Sequence, residues 1–156
     1  MARLRPTKSV ERNCLRILPR LVRRYFKLGR RLTPQTSNQD LHQFRIRTKR
    51  MRYITELYAD LYPRPLRKSL AQFRRIQGIL GGLQDQTMVI GYFEQRLMHV
   101  RTPERQTEYL RVLHRARVRQ AGMREVFFQH WAELERDGFE KRLVTGIERA
   151  IRSKED

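Results

Sequence analysis

His42, Arg45, Lys49, Arg52 and Tyr53 stand in one stretch that holds neither Gly nor Pro and can run as a single helix. Successive residues of a helix turn by about 100°, so these five share one sector roughly 100° wide. Arg45, Lys49 and Arg52 fall on successive turns and present cations at roughly 5 Å intervals. Arg50 lies on the shoulder of the stripe, His42 can donate at its start, and Tyr53 adds a hydroxyl at its end. Side chains of this kind hold a multiply charged anion through additive contacts. They equally suit a solvated basic face. Phe44, Met51, Ile54 and Tyr58 lie towards the other side of the same helix and can face a core.

The charge of the whole chain points the same way. Its formal net charge is +19, and 29 of the 35 basic residues are Arg. The planar guanidinium forks onto two oxygens, which favours phosphate and carboxylate partners. Residues 1–80 carry 21 basic and 4 acidic side chains, whereas residues 81–156 carry 14 and 12. This asymmetry predicts one anion-binding side rather than a uniformly basic coat.

The spacing H-x-x-R-x-x-x-K-R-x-R-Y over His42 to Tyr53 resembles the CHAD family, the conserved histidine α-helical domain. Phe73 to Asp85 is similar to a second pattern of that family, L-x-x-L-Q-x-x-L-G-x-x-[RN]-D, with Gln84 in place of the usual Arg or Asn. The resemblance implies an all-helical fold and binding of inorganic polyphosphate along a basic cavity, without catalysis. Polyphosphate is a line of closely spaced anions with no base edges to read, so a track of donors suits it. Family members usually have two similar halves, each with its own histidine motif. This chain has one such motif, and Ile46, Lys49 and Arg52-Tyr53 resemble the second half. Two copies are therefore expected to associate as a homodimer, each lending its motif helix to a shared cleft.

The elements that position these residues are legible as helices. Cys14, Leu18, Leu21, Tyr25, Leu28 and Leu32 recur at steps of three and four, and Pro19 is expected to start or kink this first helix. Thr33 to Asn38 reads as a loop in which Ser37 or Asn38 caps the motif helix. A third helix presents Leu66, Leu70, Phe73, Ile76 or Gln77, and Leu80, and Gly81-Gly82 is expected to weaken or bend it. Asp85 to Met98 reads as a separate fourth segment. Thr102-Pro103-Glu104 starts a long helix, Asp137-Gly138 ends it, and a short helix follows. The pattern predicts an all-α antiparallel bundle of about five to six helices in one domain over residues 1–156.

Further contacts to the anion are expected from Arg74, Arg75 and Gln77 of the third helix and from Arg20 and Arg24 of the first. Asp85 would repel phosphate, so its expected part is to organise a basic side chain or to cap the fourth segment. No Gly-rich phosphate loop and no zinc-type His/Cys spacing is present, and a single cysteine excludes an internal disulfide. No enzyme activity, metal or cofactor is expected. No apolar run reaches the ~18–20 residues of a membrane span, and the cytoplasm is the expected location. Nucleic acid is the competing polyanion, since the same charge attracts any phosphate backbone. An accessory domain serving a separate phosphate-processing enzyme is a further alternative.

Overall fold

The computed structural model describes residues 10–59 and 63–152, with backbone alone for residues 10–16, 63–65 and 150–152. The chain forms five helices within these residues: α1 (Val10–Gly29), α2 (Asn38–Ala59), α3 (Pro63–Leu97), α4 (Pro103–Arg136) and α5 (Phe139–Arg152). The side chain of Cys14 lies outside those described. Neighbouring helices run antiparallel, as the pairs Arg52–Gln77, Thr87–Gln120 and Arg23–Glu148 show when taken with the closer-in pairs Arg45–Gly81, Gly82–Met123 and Arg30–Glu140.

The first helix does not start at Pro19. It continues through that buried proline from Val10, and its core face is wider than the stripe of Leu residues, because Val22 and Phe26 are also sealed from solvent. Tyr25 and Phe26 enter an aromatic cluster with Phe44, Phe73, Phe127, Trp131 and Phe139, with ring centroids 5.0–6.5 Å apart. Burying rings of this size contributes about 2–3 kcal/mol each, which makes this cluster the main weld between α1, α2, α3 and α4. Its one phenol is satisfied by Thr48, whose Oγ1 lies 3.0 Å from the Tyr25 hydroxyl and also donates to the Phe44 carbonyl. Burial pushes the Tyr25 pKa well above its ordinary value, so the phenol stays protonated.

Ser37 caps α2. Its Oγ accepts from the Asp40 N–H at 3.0 Å and donates to the Asp40 carboxylate at 2.7 Å, a reciprocal closure of the first turn. The loop before it is clamped by Arg124 of α4, which donates to the carbonyls of Pro34 and Thr36 and to Asn38 Oδ1. These contacts set the rotation and height of α2 on the bundle. At the other end, Gly138 takes a positive φ of 61° and turns the chain from α4 into α5.

The third helix runs through Gly81-Gly82 without a break. α3 continues to Leu97 and absorbs the stretch read as a separate segment from Asp85. The two glycines each cost about 1 kcal/mol in helix propensity, but the second lets a neighbour come close. A Cβ on Gly81 would stand 3.8 Å from Arg45 Nε of α2, and one on Gly82 would stand 2.8 Å from the Met123 thioether of α4. Packing on both sides outweighs the intrinsic weakness. Beyond Leu83, α3 and the first half of α4 extend as a hairpin in which only Leu113 and Ala116 are buried among the described residues up to Phe127. Phe93 on Tyr109, Gln120 on Thr87 and the ion pair of Arg117 with Glu94 hold that arm together.

Candidate functional site

The core residues of α2 are Leu41, Phe44, Thr48, Met51, Thr55 and Ala59, and their burial fixes how the helix is turned. It leaves His42, Arg45, Lys49 and Arg52 along the edge that borders α3. On α3 the buried Phe73, Ile76 and Leu80 bring Arg74, Gln77 and Gly81 to the facing edge. The result is a groove between two antiparallel helices, with cations on both banks.

Arg45 is half-buried, and its Nε lies over Gly81 of α3. Its Nε and the Nδ1 of His42, one turn earlier, are buried without a hydrogen-bond partner. Lys49 is exposed and has no carboxylate partner among the described residues. Tyr53 lies below both cations of its flank: the Lys49 ammonium is 5.7 Å and the Arg52 guanidinium 4.3 Å from its ring centroid. The ring therefore sets the plane of Arg52 by a cation–π contact.

Arg52 is the most engaged member. Its Nε donates to Gln77 Oε1 at 2.9 Å, and one terminal nitrogen donates to Glu56 Oε1 at 2.5 Å. Arg74 reaches the same Glu56 oxygen at 3.0 Å from the α3 side. The hydrogen bond from Arg74, joined by the charge of Arg52, holds the Glu56 carboxyl below the usual carboxylate range. Sequence reasoning passed over Glu56. The signal was present, since Glu56 follows Arg52 by four residues, the spacing of an ion pair on one helix face.

The structure thus gathers His42, Arg45, Lys49, Arg52, Tyr53, Arg74 and Gln77 into one groove. Other expected members stand apart from it. Arg75 is about 160° round the helix from Gln77 and faces buried His130 of α4, whose protonation it opposes. Arg50 is exposed about 160° from Arg52, on the far shoulder of α2. Arg20 and Arg24 are exposed on α1, a helix packed on α2 and α5 rather than beside the groove. Asp85 does not organise a basic side chain here: it is exposed, makes no ion pair or hydrogen bond among the described residues, and lies inside α3, where no helix begins for it to cap. The carboxylate that organises basic side chains is Glu56, because it lies between two guanidiniums whereas Asp85 faces solvent.

Among the described residues no group of three or more His, Cys, Asp or Glu is placed to hold a metal ion, and no helix is long and apolar enough to cross a membrane. An open pocket of about 300 Å³ lies apart from the groove, between α1 and α2, lined in part by Arg31, Arg47, Asp40 and Phe44.

Fold and charge together define an all-helical basic domain whose motif helix carries a row of cations along its border with α3. The model of the CHAD domain family matches residues 2–94, more than half of the chain, and the protein belongs to that family. No curated protein and no solved structure matches the chain.

Proposed function

We propose that the protein binds inorganic polyphosphate in the groove between α2 and α3 and does not transform it. The observation that carries this function is the alignment of His42, Arg45 and Lys49 of α2 with Arg52, Arg74 and Gln77 at the α2–α3 border, a line of donors with the geometry of an extended anion. The CHAD family is associated with polyphosphate in general terms, which supports the choice of anion. Separate cations in a row reward a ligand of many linked charges over a single phosphate, through additive contacts and released counterions. Glu56, the carboxylate in the groove among the described residues, is tied up in ion pairs, which supports holding the ligand rather than cleaving it.

Nucleic acid is the second reading, favoured by the exposed Arg side chains outside the groove, such as Arg20 and Arg24. A homodimer that lines up two grooves, and service to a separate phosphate-processing enzyme, are compatible extensions. Light scattering with and without polyphosphate measures the first of these.

The test is competition on the purified protein at two salt concentrations, with long-chain polyphosphate, orthophosphate and double-stranded DNA. Long-chain polyphosphate is expected to displace DNA, orthophosphate to fail, and affinity to fall steeply with salt. DNA that polyphosphate cannot displace would favour the second reading.

A further inference from the structure

The groove is not uniform along its length. From His42 to Lys49, about 10 Å along the helix at 1.5 Å per residue, its cations have no acidic partner among the described residues. From Arg52 onward it is occupied from within. Two guanidiniums from different helices converge on a single oxygen of Glu56, and the side chains of Arg52 and Glu56 are only 18% and 29% exposed. Glu56 stands where the next phosphate of an extended ligand would meet Arg52 and Arg74. Resting on the polyphosphate reading above, we propose that Glu56 is an internal stand-in for phosphate that closes this end of the groove. It thereby lowers the affinity of chains long enough to reach Arg52, which must displace it, and leaves shorter chains untouched.

The physical reason lies in the cost of exchange. A short chain fills the open half and leaves the Arg52–Glu56–Arg74 knot intact. A longer one reaches Arg52 and must replace a carboxylate that already satisfies two charged donors. It gains only if its phosphates give both guanidiniums more than Glu56 does, and a polyphosphate carries enough charge to engage both at once. Acidification within the neutral to mildly acidic range does not open this end, because the two arginines keep Glu56 ionised below the usual carboxylate range. Ligand length is then the variable that opens it. Gln77 and Tyr53 keep Arg52 in place on release, through its Nε and the face of its guanidinium.

The experiment measures the affinity of tripolyphosphate and of long-chain polyphosphate for the wild-type protein, Glu56→Gln and Glu94→Gln. Glu56→Gln keeps the shape and the oxygen but removes the charge. Glu94→Gln removes the same charge at the Arg117 pair on the arm, away from the groove. Melting curves accompany each variant to show that it is folded. Glu56→Gln is expected to tighten long-chain binding about fivefold, the worth of one competing ion pair, and to leave tripolyphosphate unchanged. Glu94→Gln is expected to change neither. Weaker or unaltered long-chain binding in Glu56→Gln would overturn the proposal, as would equal tightening of both ligands or of both variants. If neither the wild-type protein nor Glu56→Gln binds long-chain polyphosphate, it is the underlying polyphosphate reading that fails.

Discussion

Arg52 Nε donates to Gln77 Oε1 across 2.9 Å, so a side-chain hydrogen bond spans the two helices that bank the groove. The same guanidinium is held flat by Tyr53 and end-on by Glu56. Its position is therefore set by three partners on two helices before any ligand arrives. In a double-mutant cycle of Arg52→Ala and Gln77→Ala, the coupling energy is expected to be about 1 kcal/mol, measured by denaturant unfolding. A coupling near zero would mean that the pair does not hold α2 to α3.

Lys49→Ala is expected to weaken polyphosphate binding while altering stability by less than about 0.5 kcal/mol, since the side chain is exposed. Adding Arg45→Ala should weaken binding further and cost up to about 1 kcal/mol, because the Arg45 stem packs across Gly81. Titration calorimetry and thermal melts separate the two effects. Unchanged affinity in the double variant would place the ligand elsewhere.

Gly29 and Gly81 should respond to substitution in opposite directions. A methyl group at Gly29 would stand 2.0 Å from Trp131 Cζ2, and the ring is buried and stacked on Phe26, so it has no room to withdraw. Gly29→Ala is expected to destabilise by about 3 kcal/mol. At Gly81 the methyl would meet Arg45 at an ordinary 3.8 Å, and Gly81→Ala is expected to stabilise by about 0.5–1 kcal/mol. Chemical denaturation of both variants checks the pair.

His130 predicts a pH dependence of stability. Burial, with the charge of Arg75, lowers its pKa against the opposing pull of Glu133 at 3.5 Å. In the window between that lowered value and the ordinary 6.5, the unfolded chain binds more protons than the folded one. The stability that depends on neutral His130 is thus complete above about pH 6.5 and is lost as the pH falls through the depressed value. The melting temperature should drop more between about pH 7.5 and 5.5 in the wild-type protein than in His130→Gln. Equal drops would assign the acid sensitivity to other groups.

Much of the architecture is legible in the sequence. Leu18 and Tyr25 of α1, Phe44 and Met51 of α2, and Phe73 and Leu80 of α3 repeat at helical spacing, and all are buried. Thr102-Pro103 and Asp137-Gly138 mark the ends of α4 because a proline in the first turn and a positive φ are features of a few residue types. Gly81-Gly82 misled for a converse reason. Local propensity weakens a helix there, but the close approach of Met123 to Gly82 is a property of helices far apart in the chain.

The sequence by itself determined that His42, Arg45, Lys49 and Arg52 share a face, because a helix of any surroundings turns by about 100° per residue. It also determined the excess of cations in the first 80 residues. Only the tertiary structure decided which cations meet. Adjacent Arg74 and Arg75 are indistinguishable as letters. The core packing of Phe73, Ile76 and Leu80 sets the rotation of α3, sending Arg74 to Glu56 and Arg75 towards His130. The same packing brings Glu56 between arginines 4 and 18 residues away in the chain, and it leaves Asp85 facing solvent. Helical periodicity is local and survives in a sequence, whereas the mutual rotation of two helices is settled by the volumes that fill the space between them.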